Sequence, residues 1–237
     1  MSSSFSVVKP SYLENTNNIV VNGNLTVNGT VSSYIDTSLN SLPENAISFF
    51  DNFSGSDKWL GGVLAPNGKI YGIPRDSTSV LIIDPVTNTA DTTTISGLTG
   101  TSKCLGGVLA PNGKIYGIPY NSTSVLIIDP VTNTVDTTTI SGLSGTFKWL
   151  GGVVAPNGKI YGIPHNSTSV LIIDPVTNTA DRTTITGLTG SNKWQGGVLS
   201  PNGKIYGIPR DSTSVLVINT GLPKHPSWML KPYFNKF

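Results

Sequence analysis

"GGVLAPNGKIYGIP", residues 61–74, returns almost letter for letter from Gly106, Gly151 and Gly196, each copy 45 residues after the one before. Each copy reads as strand, turn, strand. Apolar runs flank Pro66-Asn67-Gly68, and Asn-Gly between such runs favours a tight hairpin because both residues tolerate positive φ. Aligned on Lys58, Lys103, Lys148 and Lys193, the unit extends to four strand candidates. In the first copy these are WLGGVLA (59–65), KIYGIP (69–74), SVLIID (79–84) and ADTTTIS (90–96). The third carries four consecutive apolar residues, which requires cover on both faces of the sheet. The fourth is Thr-rich and suits a sheet edge that meets water.

Four-stranded antiparallel units, covered on both faces and repeated every 45 residues, predict an all-β fold, a four-bladed β-propeller. No window has the apolar spacing of an amphipathic helix, which excludes helical solenoids. One blade cannot bury its two faces alone, so the copies must stack. The last copy runs through SVLVIN (214–219) and then departs into TGLPKHPSWMLKPYFNKF, without a fourth strand. Ahead of the first copy, AISFFDNFSGSDK (46–58) aligns without gaps on DTTTISGLTGTSK (91–103). This offset predicts a ring closed by an N-terminal strand that completes the last blade. The chain then divides into an N-terminal β segment, stalk and linker (1–44), the propeller (45–222) and a tail rich in aromatics and Lys (223–237).

Within the first segment, IVVNGNLTVNGTVS (19–32) repeats Val-Asn-Gly at a six-residue step. It reads either as a hairpin leading into the ring or as a short β-stalk. In the second reading Leu25, Val27 and Val31 form an apolar strand face that is stable only against copies of itself. They are therefore candidate oligomerisation residues, with a trimer the expected assembly.

Composition narrows the function. Charged residues are 12% of 237, the formal charge is +2, and the basic residues are scattered, so no nucleic-acid footprint is present. No apolar run approaches the ~20 residues of a membrane-spanning helix. MSSSFSVVKP (1–10) lacks the basic and apolar regions of a secretory signal, which predicts a chain made and kept soluble in a cytosol. The single cysteine, Cys104, excludes an internal disulfide framework. It stands where other copies have Trp59, Trp149 and Trp194, and reads as a replaced core aromatic.

The units "GGVLAPNGKIYGIP" and "STSVLIIDPVTNT", with the ending "PYFNKF", resemble propeller-type repeat proteins of giant DNA viruses. "NGNLTVNGTVS" resembles the β-rich segments of viral and phage fibres, which trimerise. "PNGKIY" and "IIDPVTN" are distantly similar to NHL-type and gluconolactonase-type propellers, whose scattered acidic metal ligands this sequence lacks. The first resemblance implies a virion surface or fibre component, made in the host cytoplasm. Its partners would then be other virion proteins, or a receptor or glycan on the host surface.

No catalytic set is visible, and no metal or cofactor is expected. Asp84, Asp129 and Asp174 recur before Pro, where Asx side chains cap turns. Asp76, Asn121, Asn166 and Asp211 carry the same turn-capping expectation. The informative signal is where the copies differ. Turns between strands one and two, and between three and four, are monotonous and fall on one face of a propeller. The other face varies: Arg75, Tyr120, His165 and Arg210 in one set of loops, Asp57, Ser102, Phe147 and Asn192 in the other. Loops on a rigid scaffold usually carry function, so Arg75, Tyr120, His165, Arg210, Asp57, Phe147 and Asn192 are the candidate binding residues. His165, occupying a variable loop position, is expected at the surface. The leading expectation is a non-enzymatic binding protein, with a cytosolic interaction scaffold and a lactonase-like enzyme as the alternatives.

Overall fold

The computed structural model of the chain describes residues 47–221. The stalk residues Leu25, Val27 and Val31 and the 223–237 tail lie outside the described residues. The chain divides into two units, Met1–Ser48 and Phe49–Phe237, and every described strand belongs to the second.

The described residues form an all-β fold of four antiparallel sheets, the four blades of a β-propeller. Blade 1 holds β1 (Trp59–Leu64), β2 (Ile70–Pro74), β3 (Leu81–Asp84) and β4 (Thr89–Asp91). Blade 2 holds β5 (Cys104–Leu109), β6 (Ile115–Pro119), β7 (Leu126–Asp129) and β8 (Thr134–Asp136). Blade 3 holds β9 (Trp149–Val154), β10 (Ile160–Pro164), β11 (Leu171–Asp174) and β12 (Thr179–Asp181). Blade 4 holds β13 (Trp194–Leu199), β14 (Lys204–Pro209) and β15 (Leu216–Asn219). Strands within each blade pair in sequence order, as short hairpin connections dictate.

Local chemistry sets the boundaries. In the first hairpin the Lys69 carbonyl accepts from Ala65 N–H at 2.9 Å, and the Asn67 side chain accepts from Lys69 N–H at 3.0 Å. Gly68 alone of the Asn-Gly pair takes positive φ (80°), because Asn67 is held by its side chain in an Asx turn instead. The outer strand is shorter than the 90–96 expected. It stops at Asp91, whose carboxylate accepts from the N–H groups of Thr93 and Thr94 and removes them from the ladder. Asp136 and Asp181 end β8 and β12 in the same way.

Blades join through one repeated contact. Each blade has a forward face (Val63, Tyr71, Ile73, Val80 and Ile82 in blade 1) that meets the rear face of the next (Leu109, Ile115, Leu126 and Ile128 in blade 2). The joint is a knob in a hole. A Cβ built on Gly107 would lie 2.7 Å from Ile73 Cδ1, one on Gly152 2.6 Å from Ile118 Cδ1, and one on Gly197 2.7 Å from Ile163 Cδ1. Only glycine leaves room for these isoleucines, all three of which are fully buried. At the opposite ends of the blades the same joint is latched by hydrogen bonds. Tyr71 Oη donates to Asn133 Oδ1 (2.6 Å) and Asn67 Nδ2 to the Pro130 carbonyl (2.9 Å); Tyr116 and Asn112 reach Asn178 and Pro175 identically.

The expected closing strand is not formed by the described residues. Blade 4 has three strands, residues 47–58 carry none, and β1 shares no packed interface with β13 among the described residues. The segment lies instead against blade 1: Phe53 stacks edge-on to Trp59 with centroids 5.1 Å apart, and Asp51 Oδ2 accepts from Ala90 N–H at 2.9 Å. The glycines nearest the axis report the same opening. Built Cβ atoms on Gly61, Gly106 and Gly151 would each meet the Cα of the next blade's glycine within 4 Å, whereas one on Gly196 would meet nothing. The segment shares its residue pattern with 91–103, but whether it reaches the last blade depends on how all four blades are placed, which no single repeat encodes.

Candidate functional site

The variable loops gather on one face because the β2–β3 loop and the inter-blade connector leave the same ends of the strands. Their backbones interlock. Lys103 N–H donates to the Arg75 carbonyl, Lys148 N–H to that of Tyr120 and Lys193 N–H to that of His165, at 2.9–3.0 Å. Asp76, Asn121 and Asn166 do not cap their own turns, as their position suggested. Their side chains accept from the backbone N–H of Ser102, Phe147 and Asn192 in the next connector. Those three connector residues all have positive φ (45–52°), so each acceptor pins a backbone conformation that L-residues adopt reluctantly.

Behind them sits a feature whose role the sequence did not reveal. Lys103, Lys148 and Lys193 are buried, and their ammonium groups donate to the carbonyls of Gly100, Gly145 and Gly190 at 2.8 Å. Lys148 also donates to the Tyr120 and Ser122 carbonyls and lies 5.9 Å from the Trp149 ring centroid. Burial pulls Lys148 down to about 8. The signal for these lysines was their invariance across copies that vary on either side.

The structure brings several of the candidate binding residues together. Tyr120 lies 5.1 Å from Phe147 in an edge-on contact and 5.7 Å from His165 between ring centroids. Desolvation raises the Tyr120 phenol above its ordinary value, opposed by the positive charges of Arg210 and Arg75. Arg75 is itself engaged, with Nη1 2.5 Å from Asp57 Oδ1. Arg210 is exposed and lies 3.8 Å from Asp211. His165 corrects its expectation: it is 1% exposed, with Nδ1 3.2 Å from the Trp194 carbonyl. The flat imidazole packs against the first strand of the next blade, whereas the longer Arg210 side chain is exposed. Asn192 is fixed through its backbone by Asn166, with its side chain partly exposed.

The opposite face is structural. Asp84, Asp129 and Asp174 accept from the N–H groups of Val86, Val131 and Val176 at 3.0 Å, the expected turn caps. Each also pairs with a lysine of the neighbouring turn (Lys69, Lys114, Lys159) at 3.2–3.5 Å. A cleft of about 360 Å³ opens between blades 1 and 2 beside Leu98, Lys103, Cys104, Ser124 and Leu126. It lies where blade 2 has Cys104 in place of tryptophan. Among the described residues no group of three or more His, Cys, Asp or Glu side chains is placed to hold a metal ion.

No protein-family model matches the chain, and no curated protein matches it. Solved structures do. It is similar to a streptogramin B lyase at 13% identity and a TM-score of 0.56, over 69% of this chain and 52% of that one. The virginiamycin B lyase of Staphylococcus aureus is 12% identical with a TM-score of 0.53, over 71% and 58%. An auxiliary nutrient binding protein of Bacteroides ovatus is 16% identical with a TM-score of 0.51, over 69% and 39%. The chain thus spans about half the length of the solved lyase chains it matches. At such identities the likeness concerns the fold.

Proposed function

We propose that the protein is a non-enzymatic recognition module whose variable loop face binds another macromolecule, as part of a virus particle's surface. The observation that carries this reading is the edge-on pair of Tyr120 and Phe147, backed by the buried His165 and near Arg75 and Arg210, on a scaffold whose other face repeats almost unchanged. Flat aromatic rings and guanidinium groups suit sugar rings and carboxylates, because they offer stacking surfaces and planar donors at low entropic cost. A carboxylate-bearing glycan or an acidic protein surface on the host cell fits that chemistry. The placement on a virus particle rests on the resemblance of the repeats to giant-virus propeller proteins.

Two measurements test it. Substituting Arg75, Tyr120 and Arg210 together with Ala should abolish binding to acidic glycans on an array while the β-sheet circular dichroism of the folded blades is retained. Binding that survives the triple substitution moves the site elsewhere. Mass spectrometry of purified virus particles should find the chain among their proteins; its absence refutes the placement.

A further inference from the structure

Among the described residues, the joint that holds the blades together is made three times and left unmade at both ends. Blade 4 presents a complete forward face: Val198, Ile208, Val215 and Val217 are 59%, 49%, 54% and 50% exposed. Their counterparts Ile73, Ile118 and Ile163, and Val80, Val125 and Val170, are fully buried. Blade 1 presents the matching rear face, with Leu64 56% exposed and Gly62 open, where Gly107, Gly152 and Gly197 each receive an isoleucine. The latch is likewise split between the ends. Asn202 bonds Tyr206 at 3.0 Å, as its counterparts do, but Tyr206 reaches no further acceptor among the described residues. Asn88, the blade 1 equivalent of the acceptors Asn133 and Asn178, has the same positive φ (52°) and no tyrosine.

The segment before blade 1 is also shaped for an absent neighbour. Asp57 (φ 52°) and Gly55 (φ 85°) repeat the connector conformation of Ser102 and Gly100, and Lys58 Nζ donates to the Gly55 carbonyl as Lys103 does to Gly100. In the internal joints this connector covers the preceding blade: Val80 N–H donates to the Ile95 carbonyl, and Leu98 N–H to that of Thr78. Phe50 and Phe53 stand at the positions of Ile95 and Leu98. On blade 4 the valine they would cover is Val215.

We infer that the occupant of each terminal face is a second copy of this chain, docked head to tail, with the Ile208 knob of one copy in the Gly62 hole of the other. The partner's Phe50 and Phe53 then close over Val215, and Tyr206 donates to the partner's Asn88. An interface between unlike faces leaves one of each free on a pair, so it propagates unless the rotation closes. Two copies docked through both pairs of faces satisfy every joint and complete one ring. Closure therefore happens between chains, by the segment expected to close the ring within one.

Sedimentation of the 237-residue protein over a concentration series, with the variants Ile208→Asp and Leu64→Asp, tests this. The intact protein should reach twice its 24.9 kDa mass, and each variant alone should associate at least roughly 30-fold more weakly while keeping its β-sheet circular dichroism. An equimolar mixture of the two variants should recover dimers, because it contains one undamaged pair of faces. If either variant does not fold, Val217→Asp on the blade 4 face or Ile83→Asp on the blade 1 face, at the half-buried counterpart of Ile128, takes its place. Three results overturn the inference: an intact protein that stays monomeric, two variants that associate like it, or a mixture that recovers nothing. An assembly lost instead through Leu25→Asp and Val27→Asp belongs to the stalk, and also overturns it.

Discussion

Cys104→Trp should stabilise this protein, and the repeat itself supplies the control. In blades 1, 3 and 4 the equivalent indole donates from Nε1 to a carbonyl in the same blade: Trp59 to Ser79, Trp149 to Ser169 and Trp194 to Ser214, all at 2.8 Å. Blade 2 keeps the equivalent serine, Ser124, but has a thiol in place of the indole and a cleft of about 360 Å³ beside it. Truncating a buried Trp or Phe to Ala costs about 3–5 kcal/mol. The thiol already retains a small part of that burial, and neighbours settled around cysteine will return only part of the rest, so the expected gain is about 2 kcal/mol. For a domain of this size about 2–4 °C accompanies each kcal/mol, which places the melting temperature about 4–8 °C higher. The assay is calorimetry of both proteins at one concentration, since self-association would otherwise shift the midpoint. Trp149→Cys, run alongside, should lower it by more. A melting temperature that falls or stays fixed in Cys104→Trp would show that the cleft is not the vacated seat of an indole.

The latches and the buried lysines give two further expected outcomes. Tyr116→Phe removes the hydroxyl that donates to Asn178 and should cost about 0.5–1.5 kcal/mol in denaturant unfolding; Tyr206→Phe should cost almost nothing within one chain and should weaken self-association. Lys148 is held near 8 in the folded protein but titrates near 10.5 when unfolded, so between those values the unfolded chain binds more protons and stability rises with pH. Lys148→Met should remove that part of the rise, seen as a flatter dependence of unfolding free energy on pH between 8 and 10.5; an unchanged slope would refute the burial argument.

What the sequence determined by itself is what repeats. A period of 45 residues, an apolar LIID strand and the Pro-Asn-Gly turn each act within one blade, through neighbours a few residues apart, and four aligned copies made the pattern legible. The turn caps at Asp84, Asp129 and Asp174 were legible for the same reason: an Asx side chain bonds a backbone two residues on. The shortened outer strand was not, because Asp91 and the threonines after it favour a turn that competes with the ladder Thr otherwise supports. Tertiary structure alone decided the relations between copies. That His165 lies buried under the Trp194 carbonyl, and that Asn121 serves the next connector rather than its own loop, depends on backbone 26–29 residues away. Whether the ring closes depends on a quantity with no local trace. It is a relation among all four blades, and among the described residues Ile208 is 49% exposed and no isoleucine of another blade lies within 4 Å of a Cβ built on Gly62.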